Sequence, residues 1–179
     1  MRLRHLHIPK TGGSAVRWAL RNVSAIEVEP IDHSLRLCDL ADDEMAITAV
    51  RDPVARFCSA YDAEVRRDRG LASRWHWVDD AAREVADLIE RYMVWMAPYP
   101  LVYWLHDAET VERKCAYLLH TETLDDDWRR LRADLDVPAL PKDGHRNRSD
   151  DPRSVPKPET VALLHDFYRE DYELLEAIA

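Results

Sequence analysis

With 179 residues, 46% hydrophobic and 33% charged, the chain is long enough to bury a real core and predicts one globular domain over 1–179. A net charge of −9 speaks against a nucleic-acid binder, which would show a basic face. No stretch reaches the ~18 apolar residues of a membrane span, and no signal-peptide pattern opens the chain, so a cytoplasmic protein is expected. Cys38, Cys58 and Cys115 are odd in number and widely spaced, which offers neither a disulfide framework nor the ligand pairs of a metal site.

In chain order, Leu3 to Ile8 reads as a buried strand of the parallel type, with His5 and His7 included. A helix over about 13–23 follows, with Val16, Leu20 and Val23 on one face. Residues 25–29 form a short second strand closed by Pro30. A polar turn, Ile31-Asp32-His33-Ser34, leads into a weakly helical stretch over 35–40. Met45 to Val50 is a second buried strand, running straight into Arg51-Asp52-Pro53. Asp52 suits an N-cap and Pro53 a first helical position, and Val54, Phe57, Cys58, Tyr61 and Val65 give that helix an apolar stripe. Arg56 and Ser59 fall on the other face, with Asp52, towards the strand end.

Residues 71–105 are irregular and hold Trp75, Trp77, Trp95 and Trp104, with an amphipathic helix over 79–92. A short helix over 107–114, a strand over 115–121 and a helix over 125–135 come next. Residues 137–157, rich in Pro, Arg, Asp and Ser, read as a long loop. A single final helix over about 159–178 buries Val161, Leu164, Tyr168, Leu175 and Ile178. Strands alternating with helices predict an α/β fold: a three-layer sandwich around a mostly parallel sheet, opened by a P-loop-like strand–loop–helix.

The chemistry concentrates in that first loop, His7-Ile8-Pro9-Lys10-Thr11-Gly12-Gly13-Ser14-Ala15-Val16. Two of the four glycines in the chain stand together here, between a strand and a helix. Helix-start amides and the helix dipole favour an anion, and residues without a Cβ let the backbone approach it. Lys10 adds a positive charge, and Thr11 and Ser14 add hydroxyl donors. The pattern departs from the nucleotide P-loop G-x-x-x-x-G-K-[ST], because Lys10 precedes the glycines and Ser14 follows one. That departure points to a phosphate-like ligand bound without a metal. An ordinary strand–helix turn is the plainer alternative. Arg51 stands at the end of another predicted strand, so two cationic groups would meet one crevice beyond the strand C-termini.

With these two motifs in view, the chain resembles the sulfotransferases that use 3′-phosphoadenosine 5′-phosphosulfate (PAPS). It is most similar to the branch with the carbohydrate enzymes and their small bacterial relatives. His7-Ile8-Pro9-Lys10-Thr11-Gly12-Gly13-Ser14 matches that family's 5′-phosphosulfate loop. Arg51-Asp52-Pro53-Val54-Ala55-Arg56-Phe57-Cys58-Ser59-Ala60-Tyr61 matches its 3′-phosphate motif, arginine and serine eight apart. Weaker echoes lie in Leu119 to Leu124, in Asn147-Arg148-Ser149 and in Asp171-Tyr172-Glu173-Leu174-Leu175.

The resemblance implies that Lys10 and the stretch Thr11, Gly12, Gly13, Ser14 and Ala15 hold the 5′-phosphosulfate, with Arg51 and Ser59 on the 3′-phosphate. It also implies a catalytic base after the second strand, where His33 stands, in an Asp-His pair where the family often has Gly-His. His7, Glu27, Glu29 and Asp32 are the rivals. The implied reaction is direct in-line transfer of a sulfuryl group to the hydroxyl of a carbohydrate or other small-molecule acceptor, leaving 3′-phosphoadenosine 5′-phosphate (PAP). Lys10 would neutralise the leaving phosphate, and no metal takes part. A kinase with an atypical P-loop and a non-catalytic PAP-binding module are the alternatives. The tryptophan-rich stretch 71–105 and the loop 142–157 are the expected acceptor walls, and Arg146 to Ser149 the expected cover of the nucleotide. Neither the acceptor nor the oligomeric state is legible.

Overall fold

A computed structural model describes residues 2–28, 33–67, 99–140, 156 and 158–179, with 61–67 taken by backbone alone. Four strands, β1 (Arg2–Leu6), β2 (Ile26–Val28), β3 (Glu44–Val50) and β4 (Cys115–His120), pair in the order β2-β1-β3-β4, all parallel. The expected fold class is observed: an α/β sandwich with helices on both faces of a parallel sheet. β1 and β3 carry apolar side chains to both faces, and β3 accordingly reads as a near-continuous apolar run, while β1 has Arg4 and His5 between Leu3 and Leu6. Leu3, Ile47 and Ala49 face one core, and Leu6, Ala46 and Val50 face the other.

Helix α1 (Gly13–Leu20) packs Val16, Ala19 and Leu20 on the first face. Its solvent side carries Trp18, which the Arg21 guanidinium covers at 4.8 Å from the ring centroid. Helix α2 (Pro53–Arg67) starts as its sequence predicts. Asp52 Oδ1 accepts the Ala55 amide at 2.7 Å, an N-cap contact worth ~1 kcal/mol. Helices α3 (Val102–Leu105) and α4 (Ala108–Lys114) then cover the second face, with Leu101, Trp104, Leu105 and Val111 buried there. Helix α5 (Leu124–Asp134) buries Trp128 and Leu131 against the first.

The C-terminal segment departs from its expected form. Two helices replace the single predicted one, α6 (Pro158–Phe167) and α7 (Arg169–Ala177), broken at Tyr168 with φ −96° and ψ 22°. Tyr168 is fully buried beside Phe57 and Leu164, and this anchor turns the chain so that Leu174 reaches the second core. Helical periodicity runs through Tyr168 unbroken in the sequence, so nothing local signals the bend. The weakly helical stretch over 35–40 condenses to one 3-10 turn, Leu37–Asp39. The helix expected over 79–92, the Trp75, Trp77 and Trp95 cluster and most of the predicted loop over 137–157 lie outside the described residues.

Among the described residues no helix is long and apolar enough to cross a membrane. In the order β2-β1-β3-β4, connections leave β1 towards opposite sides, so the switch point falls between β1 and β3. Their C-terminal ends carry the Lys10 loop and Arg51.

Candidate functional site

The segment between β1 and α1 turns sharply. Lys10 has φ 66° and Gly12 φ 78°, both left-handed. Gly12 meets this with no Cβ penalty, whereas Lys10 bears it as an L residue. The two glycines stand in the loop for different reasons. Gly12 supplies the positive φ, and its carbonyl accepts the Ala15 amide at 3.0 Å to open α1. Gly13 has ordinary helical backbone, but a Cβ there would fall 2.8 Å from His7 Nε2 and closer still to His7 Cδ2. The buried His7 ring occupies the space that a side chain at 13 would take.

The rest of the loop is tied down from three sides. Thr11 Oγ1 donates to the Ile8 carbonyl at 2.8 Å, so this side chain holds the turn rather than facing outward as a ligand donor, and it is fully buried. That corrects the expectation for the Thr11 hydroxyl; its amide remains part of the cradle. Thr121 Oγ1, just past the end of β4, lies 2.6 Å from the Thr11 carbonyl and 2.9 Å from the Val50 carbonyl, with one proton to share between them. Arg51 Nη1 donates to the Lys10 carbonyl at 3.4 Å across 41 residues. The Gly13 and Ser14 amides have no carbonyl one turn back within α1, whereas the Ala15 amide is taken by the Gly12 carbonyl, and Ser14 is exposed. Ala15 is half-buried in the same turn.

Arg51 is 9% exposed at the end of β3. Asp52 organises its surroundings: its amide donates to Glu122 Oε1 at 3.1 Å, and its Oδ2 accepts the Tyr172 hydroxyl at 3.0 Å. Ser59 lies half-buried, seven residues beyond Asp52 and so on its side of α2. Arg56 is a correction. The sequence places it on the site-facing side, but it is fully buried, its guanidinium 5.4 Å from the Trp104 ring centroid and 5.9 Å from that of Tyr168. Its Nη2 donates to the Tyr99 carbonyl. Burial lowers its pKa, opposed by Tyr168 and Asp171. Arg56 thus links α2 to Tyr99, Trp104 and Tyr168. Cys58, expected in the core, is half-buried.

His33 enters from beyond β2, with φ 58°. Its Nδ1 lies 2.9 Å from the His7 carbonyl, and its own carbonyl accepts Trp104 Nε1 at 3.0 Å. A carbonyl can only accept, so this contact places the ring proton on Nδ1 and leaves the lone pair on Nε2. The His33 and His7 rings approach to 4.7 Å between centroids, and His7 and His5 stack at 5.7 Å.

The rivals for the base fare differently. Burial, then the charges of His5, His33 and Arg17, lower His7 to about 3, and its Nδ1 is buried without a hydrogen-bond partner. A ring held neutral to that degree is a weak proton acceptor. Glu27 is exposed and pairs with Arg4 at 3.3 Å, within β2 rather than beyond its end. Glu29 and Asp32, with Asn147 to Ser149, lie outside the described residues.

The site therefore gathers Lys10, the glycine cradle, Arg51 and His33 at the C-terminal ends of β1, β2 and β3. Thr121, Glu122 and Tyr172 support it, and the sequence marks them only as weak echoes of a family pattern. No group of three or more His, Cys, Asp or Glu side chains suited to a metal occurs among the described residues. Compared with family models, curated proteins and solved structures, the chain gives no match.

Proposed function

We propose that the chain is a PAPS-dependent sulfotransferase. The observation that supports this reading is the Arg51–Lys10 contact at the β1/β3 switch point, which brings two motifs 41 residues apart side by side. A nucleotide with phosphates at both its 5′ and 3′ positions needs two such centres. The glycine cradle at 12–13 offers backbone amides to the 5′ end, and Arg51 offers a planar fork to the 3′-phosphate, with Ser59 on its flank.

Further support comes from the backbone. Lys10 and His33, the two residues the sequence singles out for chemistry, are two of only three non-glycine residues with positive φ among the described residues. Such conformations cost roughly 1–3 kcal/mol each and cluster where function holds them in place.

In the proposed reaction the acceptor hydroxyl oxygen attacks sulfur in line. The S–O bond to the 5′-phosphate breaks, and PAP leaves. His33 Nε2 takes the hydroxyl proton, its lone pair set by the Nδ1 contact to the His7 carbonyl. Lys10 neutralises charge gathering on the departing phosphate oxygen. The acceptor is the hydroxyl of a carbohydrate or another small molecule, and a cytoplasmic setting suits such an enzyme. A thermal-shift screen with PAP, ATP and AMP tests the reading. PAP should raise the melting temperature without magnesium, whereas stabilisation by magnesium-ATP alone would favour a kinase.

A further inference from the structure

We infer that His7 is the positioning residue of this site, acting on both the anion cradle and His33 without touching the ligand. Like the reaction it serves, this role rests on the reading above, yet it stands on its own geometry. Alanine would ordinarily suit the first turn of a helix better than glycine, and position 13 has ordinary backbone. What excludes a side chain there is the His7 ring, 2.8 Å from where the Cβ would be at Nε2 and closer at Cδ2. The imidazole is the floor on which the cradle backbone lies.

The same residue reaches His33 by two routes. Its carbonyl accepts His33 Nδ1 at 2.9 Å, and its ring packs against the His33 ring at 4.7 Å. His33 needs this support because its backbone is left-handed, held otherwise through its carbonyl by Trp104 Nε1 at 3.0 Å. Motion of His7 would shift the cradle and the lone pair of His33 together. Burial against His5 keeps the floor in place, since the two rings stack and His7 is 7% exposed.

A double-mutant cycle tests the role in the full-length protein. PAP affinity is measured by calorimetry for wild type, Gly13→Ala, His7→Ala, His7→Phe and the Gly13→Ala/His7→Ala pair, with histidine ring 15N shifts recorded for each. Gly13→Ala should weaken PAP about tenfold or more, and the pair should bind better than Gly13→Ala alone, since the clash is gone. His7→Phe, which keeps a flat ring on the floor, should stay within about threefold of wild type. In His7→Ala the backbone carbonyl that accepts His33 Nδ1 stays, so at an unchanged fold the His33 ring should keep its Nδ1-protonated form while its 15N shifts move with the loss of the His7 ring beside it. The role is overturned if Gly13→Ala is equally damaging with and without the His7 ring, or if His7→Ala leaves both PAP affinity and the His33 shifts at wild-type values. Should wild type fail to bind PAP, the sulfotransferase reading falls. The His33 shifts and the stability of the Gly13→Ala pair then still decide the role of His7: rescue and altered shifts uphold it, and their absence overturns it.

Discussion

The Tyr172 hydroxyl donates to Asp52 Oδ2 at 3.0 Å and so ties the last helix of the chain to the residue beside Arg51. The other oxygen of the same carboxylate caps α2 through the Ala55 amide at 2.7 Å. One carboxylate thus fixes the start of the helix that carries Ser59 and takes its own position from the C-terminal helix pair. Tyr172→Phe removes that hydrogen bond alone. It should cost about 0.5–1.5 kcal/mol in urea denaturation, and Asp52→Ala about 1–2 kcal/mol because it also removes the cap. In a double-mutant cycle the two should couple by ~0.5 kcal/mol or more. Additive losses would show that the contact does not bear on stability.

On the proposed reaction, His33→Ala should slow sulfuryl transfer by roughly 10²–10⁴ while leaving PAP affinity close to wild type, because a base would act on the acceptor proton and not on the nucleotide. Single-turnover kinetics at saturating PAPS separates the two effects. Unchanged turnover in the mutant would remove His33 from the role.

Gly12→Ala places a Cβ at φ 78°. The steric room is adequate, since the nearest atom would be Leu124 Cδ2 at 3.5 Å, so the cost comes from the backbone. A loss of ~1–2 kcal/mol in chemical denaturation is expected. Gly13→Ala differs in origin: His7→Ala should relieve it but leave Gly12→Ala as it was.

Acid should destabilise the fold early. Burial, then the Arg17 charge, lowers His5 to about 4, and His7 falls to about 3, against 6.5 for an ordinary ring. Folding therefore favours the neutral rings, and below pH 6.5 the unfolded chain binds protons that the folded one refuses. Their contribution is complete above that pH and is lost as pH falls towards the folded values, at up to about 1.4 kcal/mol per pH unit for each ring. Urea denaturation at pH 7, 6 and 5 should show this decline, and His5→Phe should flatten it. A pH-independent midpoint over that range would contradict the neutral stack.

Much of the frame was legible in the sequence. A continuous apolar run marked β3, because a strand buried on both faces leaves no alternation to confuse, and Leu3, Leu6 and Ile8 marked β1 despite the histidines among them. Asp52-Pro53 marked the start of α2 because capping is local chemistry. The glycine pair marked the loop, though His7 under Gly13 is a contact between a strand end and a helix start, and no spacing rule conveys it. Arg56 was misplaced for a related reason: charge suggests exposure, and its burial depends on Trp104 and Tyr168 arriving from distant parts of the chain. The bend at Tyr168 and the Tyr172–Asp52 bond are likewise tertiary, with apolar periodicity running unbroken through both helices.

In the proposed function Arg51 completes a site for a nucleotide bearing a 3′-phosphate, and calorimetric titration of PAP against AMP tests that role most directly. Wild type should prefer PAP, and Arg51→Ala should lose about 1.5–3 kcal/mol of PAP binding while its affinity for AMP hardly changes. Equal affinity of wild type for PAP and AMP, or a PAP affinity untouched by Arg51→Ala, would contradict it.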